Sequence, residues 1–208
     1  MRKMKSVILI MVLLGMTLPT SVEGVIMEQN KQSMEKATFG GGCFWCTEAI
    51  FERVKGVDRV IAGYSGGKVK TPTYREVSSG LTGHAEVIQV IYDPDVVSYY
   101  TLLEIFFKTH DPTTLNRQGA DVGTQYRSVI FYHDASQEEK AREIREELNH
   151  AGIWDNPIVT EITEFQAFYP AEDYHQDYYA NNSNQGYCRM VITPKVQKLE
   201  KVFRDKLK

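Results

Sequence analysis

The chain has 208 residues, 42% of them hydrophobic and 25% charged, and a formal net charge of −3. Its basic residues are scattered, with no Lys or Arg block in the body of the chain, which excludes a nucleic-acid partner held through phosphates. Seven prolines and fifteen glycines are spread without a repeat or low-complexity tract, so fibrous and solenoid architectures are excluded as well.

At the start, Met1-Arg2-Lys3-Met4-Lys5 is basic and residues 6–18 (SVILIMVLLGMTL) are apolar, a run too short to span a bilayer comfortably. Residues 1–24 therefore read as a secretory signal peptide, with Val22 and Gly24 small enough for cleavage after Gly24 and an uncleaved anchor as the alternative. A polar linker is expected over 25–35 and one domain over 36–208, enough chain for a single core and too little for two. All three cysteines, Cys43, Cys46 and Cys188, follow the leader. An odd number in an exported chain, periplasmic or extracellular, leaves a thiol free for chemistry.

Residues 36–39 form a short strand leading into Gly40-Gly41-Gly42-Cys43-Phe44-Trp45-Cys46, and residues 47–54 read as a helix that stops at Lys55-Gly56. Strands are expected over 57–62, 86–92, 126–132 and 158–162. The run 86–92 is almost continuously apolar and should be central. Ser98 caps a largely buried helix to Thr109, Ser136-Gln137-Glu138-Glu139 reads as a capping box opening a charged helix to His150, and 195–207 reads as a surface helix with Val196, Leu199, Val202 and Phe203 inward. Between them lie long segments at 63–85, 110–125 and 164–187, rich in Tyr, Asp, Asn and Gly. Loops of that length in one domain are functional or disordered, and their aromatic content argues for function.

Cys43 carries the strongest chemical signal. At a helix N-terminus, unpaired amides and the dipole favour a thiolate by about 0.3–1 kcal/mol, so its pKa is expected below that of an ordinary thiol. Cys-x-x-Cys alone is less specific. A zinc module would need Cys188 and a histidine such as His175 to complete four ligands; a thioredoxin-like exchange protein would leave Cys188 and the tyrosine-rich loops unexplained; and a Cys–His hydrolase could draw on His84, His110, His133, His150 or His175, with no local pattern choosing among them. His84-Ala85-Glu86 matches half of a zinc deaminase signature, but the cysteine pair precedes it and the order rejects that reading.

Gly41-Gly42-Cys43-Phe44-Trp45, Gly63-Tyr64-Ser65-Gly66-Gly67, Pro72-Thr73-Tyr74-Arg75-Glu76-Val77, Thr82-Gly83-His84-Ala85-Glu86, His110-Asp111-Pro112-Thr113 and Gly123-Thr124-Gln125-Tyr126-Arg127-Ser128 together resemble the A-type peptide methionine sulfoxide reductases. The resemblance spans residues 36–188. It implies an α+β, two-layer ferredoxin-like core of sheet and helices with long active-site loops, acting as a monomer without metal or organic cofactor. It further implies that Cys43 attacks the sulfur of a methionine S-sulfoxide, in proteins or free. Glu86 is then the acid, Tyr74 and Tyr126 donate to the departing oxygen, Asp121 belongs to the substrate-binding network, and Phe44 and Trp45 wall the methyl group. A resolving thiol then forms a disulfide with the oxidised Cys43, to be reduced by a thioredoxin-like donor. Cys188, expected on a mobile C-terminal arm, is favoured for that step, with Cys46 as a relay or the resolver itself. Without the resemblance, a general thiol-disulfide oxidoreductase and a zinc-binding module remain the alternatives.

Overall fold

Strand parity decides which side chains meet the helices. In the computed structural model, which describes residues 33–208, β1 (Glu35–Gly41), β2 (Val57–Ser65), β3 (Ala85–Tyr92) and β6 (Ser128–Tyr132) form the middle of a six-stranded sheet. Its order is β7-β6-β1-β3-β2-β8, with β7 (Glu161–Glu164) and β8 (Phe168–Pro170) at the edges. All neighbours are antiparallel except β6 and β7. Helix α1 (Phe44–Phe51) connects β1 to β2 and α3 (Tyr99–Thr109) lies between β3 and β6, which is the expected βαββαβ ferredoxin-like arrangement. The leader expected over 1–24 and most of the linker over 25–35 lie outside the described residues.

Every residue of β3 is buried, as its apolar run requires of a strand between β1 and β2. Alternation sends Ile88, Val90 and Tyr92 to the helix side, where they join Phe39, Ala62, Ile130 and the inner faces of α1 and α3. Phe39 stacks on Phe106 at 5.1 Å between centroids. Ala85 and Val87 point the other way and pack with Val129 and Phe131 beneath Phe165 and Phe168. Glu86 shares the parity of Ile88, so this one acid is carried to the helix side of the sheet. Among the described residues, no helix is long and apolar enough to cross a membrane.

Several boundaries differ from expectation for local reasons. α1 starts at Phe44 rather than at 47, because Gly42 at φ +94° turns the chain out of β1 and leaves Cys43 as the N-cap. α4 (Ala135–His150) is capped by Asp134, whose carboxylate accepts the Gln137 N–H, and not by Ser136. Residues 124–126 form a 3-10 turn instead of opening β6, and β7 begins at Glu161 because the Ile158 and Val159 amides go to Asn149 and Pro112. α6 (Thr193–Val202), with Pro194 in its first turn where no amide bond is lost, ends at Phe203. The three long segments are ordered by short elements: α2 (Tyr74–Ser78), the hairpin of β4 (Arg117–Gln118) and β5 (Asp121–Val122), and α5 (Tyr178–Asn182). The segment expected to be a mobile arm is folded instead. Cys188 lies in a π-helical turn (Cys188–Ile192) continuous with α6, and its side chain is buried in the main core.

Candidate active site

The glycine run does two jobs. Gly40 and Gly41 belong to β1, where a Cβ at Gly40 would meet Val129 at 2.8 Å, so their size serves sheet packing. Only Gly42 stands in the turn, and Gln118 packs directly against it. The chain then enters α1 with Cys43 as N-cap, 7% exposed, and the Cys46 N–H closes the first turn on the Cys43 carbonyl at 3.0 Å.

The first free amide of α1 is not spent on sulfur. Phe44 N–H donates to Glu86 Oε2 at 3.0 Å, a bond between residues 42 apart in sequence. Glu86 is 1% exposed, and burial pushes its carboxyl up to about 8, against the Phe44 amide, with the charges of Asp121 and Cys46 adding to the rise. The expected depression of the Cys43 pKa is overturned by the same geometry. Burial first, then the hydrogen bond with Cys46 and the charge of Glu86, hold the Cys43 thiol well above its ordinary value. Cys46 is drawn down to about 7, chiefly by its hydrogen bond with Cys43, with Lys195 and Tyr187 helping. The helix end thus serves the carboxyl, and the more easily ionised sulfur of the pair is the second one.

The remaining expected residues converge here. Burial and the charge of Glu86 raise the phenols of Tyr74 and Tyr126, and Cys43 contributes to both, so the two rings face one site from α2 and from the 124–126 turn. Asp121 in β5 accepts the Tyr187 hydroxyl at 2.8 Å, and that hydroxyl lies 3.8 Å from Cys46 Sγ. Phe44 is fully buried between Tyr64, Tyr74 and His175. Trp45 is only half-buried: its indole N–H donates to His175 Nδ1 at 3.2 Å, and its face lies on Tyr178 with centroids 3.6 Å apart and planes 8° from parallel. Burial, and after it the charge of Cys46, raises the Cys188 thiol. All three thiols are free.

Four partners were not singled out from sequence for these roles. Tyr187 ties Asp121 to Cys46, His175 holds the indole, Glu172 accepts the Tyr64 hydroxyl and the Tyr74 amide, and Glu48 accepts the amides of Asp177 and Tyr178. The available signal was the tyrosine-rich segment 164–187, which marked the region without pairing its residues. His175, by residue type a candidate zinc ligand or base, has its Nδ1 committed to Trp45.

Comparison with known proteins gives the family. A family model described as peptide methionine sulfoxide reductase matches residues 35–207. The peptide methionine sulfoxide reductase MsrA of Deinococcus radiodurans is 53% identical over 194 residues, 93% of each chain. That of Chromobacterium violaceum is 56% identical over 170 residues, 82% of this chain and 97% of its own. Among solved structures, Mxr1 from Saccharomyces cerevisiae in reduced form superposes with a TM-score of 0.70 at 36% identity, covering 76% of this chain and 91% of that one. Methionine sulfoxide reductase A of Corynebacterium diphtheriae gives 0.69 at 37% identity, covering 78% and 80%. A thiol beside a proton-holding carboxyl, on a chain matched from β1 to its last helical turn, places the protein: it belongs to the peptide methionine sulfoxide reductase family, and it reduces methionine S-sulfoxide to methionine.

Proposed function

We propose that Cys43 is the nucleophile and Glu86 the acid of this reaction. The observation that carries the assignment is the Phe44 N–H bond to Glu86 Oε2, which sets a carboxyl able to keep its proton near neutrality beside the sulfur at the head of α1. The amide engages one oxygen and leaves Oε1 to carry the proton. Tyr74 and Tyr126 donate to the sulfoxide oxygen, Trp45 backed by Phe44 receives the methyl group, and Asp121 orients Tyr187 at the edge of the site.

The step balances with the Cys43–Cys46 pair holding one proton between them. Cys43 Sγ attacks as its proton passes to Cys46, and Glu86 gives its proton to the departing oxygen. Net, one S–O bond breaks at the substrate and one forms at Cys43; the substrate sulfur gains two electrons and leaves as a thioether, and Cys43 becomes a sulfenic acid. A second thiol condenses with it, releasing water, and a thioredoxin-like dithiol reduces the resulting disulfide.

The pH dependence tests both assignments. The ionised pair is lost as pH falls through about 7 and the acid form of Glu86 is lost as pH rises through about 8. The single-turnover rate of Cys43 oxidation, followed from about pH 5 to about pH 10, is therefore expected to be bell-shaped with a narrow top between those values. A rate that still climbs above about pH 9 removes Glu86 as the acid.

The same reading extends to export. The basic and apolar head of the chain is proposed as a signal peptide cleaved after Gly24, which would leave the catalytic domain outside the cytoplasm. N-terminal sequencing of the protein recovered from a secreting host should begin at Val25; recovery of the uncleaved chain in the membrane fraction would favour an anchor instead.

A further inference from the structure

Glu48 is an acid where packing calls for an apolar side chain. It lies one turn beyond Trp45 on α1, is 1% exposed, and its neighbours Ala49, Ile50 and Phe51 belong to the core. Burial pushes its carboxyl up to about 7, and Asp177 and Glu52 add acidic neighbours rather than a counter-ion. A carboxyl at that depth persists only where its oxygens are used. Both are: Oε1 accepts the Asp177 N–H at 3.0 Å and Oε2 the Tyr178 N–H at 3.2 Å.

Those amides open α5, whose N-cap Asp177 makes no side-chain cap bond and sits at φ +51°, in the left-handed region that Asp tolerates better than most residues but that still leaves the local cap unmade. The cap that sequence ordinarily supplies locally is supplied here from α1, across 129 and 130 residues. What the hold fixes is the Tyr178 ring, flat on the indole of Trp45. Helix α1 therefore carries both ends of a clamp: Trp45 meets the ring and Glu48 grips the backbone behind it.

We propose that Glu48 is a positioning residue for substrate binding, which seats Tyr178 on Trp45 through the 177–178 backbone and thereby fixes the indole face presented to the substrate's methyl group. The inference rests on the reading of Trp45 as that wall. Glu48 itself touches no substrate, and His175 still holds the indole N–H when Glu48 is removed, so the effect is a loosened wall and not a lost one.

Two measurements test it. In the Trp154→Phe background, which leaves Trp45 as the single tryptophan of two, Glu48→Gln should raise acrylamide quenching of Trp45 fluorescence at least about twofold by unseating the stacked ring. It should raise KM for a capped methionine S-sulfoxide by about tenfold while kcat with dithiothreitol changes less than about threefold, the signature of lost binding rather than lost chemistry. The same substitution made in Tyr178→Ala should change KM by less than about twofold, because a clamp without its ring has nothing to seat. Effects that multiply across the two positions, or an unchanged KM in Glu48→Gln, overturn the proposal. Should Trp45→Leu leave KM unchanged, it is the wall reading that fails, while the quenching experiment still reports whether Glu48 seats the ring.

Discussion

Glu86→Gln is expected to slow sulfenic acid formation at Cys43 by about 10²–10⁴-fold near neutral pH, the range that a positioned proton donor contributes. The substitution is chosen to remove the proton and little else. Glutamine has the same shape, its amide oxygen can accept the Phe44 N–H that now goes to Oε2, and Glu86 lies on a β3 face whose neighbours Ile88 and Val90 are untouched. An unpaired carboxylate at this depth would be destabilising, so the neutral variant should unfold at a temperature no lower than the parent's. Kinetically, the alkaline limb of the pH profile should vanish together with the rate, since that limb is the titration of Glu86 itself. The loss corresponds to about 3–5 kcal/mol of transition-state stabilisation, more than the about 0.5–1.5 kcal/mol of a neutral hydrogen bond from a tyrosine such as Tyr126. Quench-flow with a thiol-specific trap measures it. A Glu86→Gln enzyme within tenfold of the parent, or one that keeps its alkaline limb, would assign the proton to another group.

Residues 86–92 show how far the sequence could be read and where reading stopped. A run that is apolar at nearly every position belongs between two other strands, and it does. Parity then placed Glu86 on the helix side once the face of Ile88 was known. The glycine run likewise marked Cys43 as the head of α1, because a positive φ at Gly42 is a local property of the chain. What failed was electrostatics between distant segments. The helix-end argument for a low Cys43 pKa was sound locally, but burial outweighs it, and Glu86, from 42 residues away, takes the Phe44 amide and adds its charge beside the sulfur. Tyr187 with Asp121 and Glu48 with Tyr178 are separated by 66 and 130 residues, and neither pair carries any periodic signal. The expected arm around Cys188 failed for a related reason. The Asn- and Ser-rich stretch before it reads as flexible by composition, yet Tyr187 is anchored on Asp121 and Thr193 Oγ1 donates to the Cys188 carbonyl, both ties being tertiary or quasi-local contacts that composition does not encode.

That anchoring changes the expected fate of the sulfenic acid. Cys46→Ser should slow the first oxidation of Cys43, because it removes the thiolate that takes the Cys43 proton, and should then stop the enzyme after that one turnover with Cys43 trappable by dimedone; thioredoxin-supported steady-state activity should fall by about 10²-fold or more, because the thiol held beside Cys43 also has the advantage of effective concentration. Cys46 already shares a hydrogen bond with Cys43 across one helical turn, whereas Cys188 is packed in the core within electrostatic reach of Cys46. Cys188 is buried in the turn over Cys188–Ile192 and lies within electrostatic reach of Cys46, so exchange with Cys46 is the expected handover. The order expected on the proposed mechanism is a Cys43–Cys46 disulfide with loss of water, then attack of the Cys188 thiolate on Cys46 Sγ, which releases Cys43 and leaves a Cys46–Cys188 disulfide for the protein reductant. Cys188→Ser should accordingly form the Cys43–Cys46 disulfide at the parental single-turnover rate and lose only its later handover, slowing thioredoxin-supported cycling by about tenfold while dithiothreitol still reduces it freely. Peptide mapping of the two variants under non-reducing conditions decides between the routes. A Cys43–Cys188 disulfide formed rapidly in Cys46→Ser, with free sulfenic acid persisting in Cys188→Ser, would show that the buried turn opens on every cycle and that Cys188 resolves Cys43 without a relay.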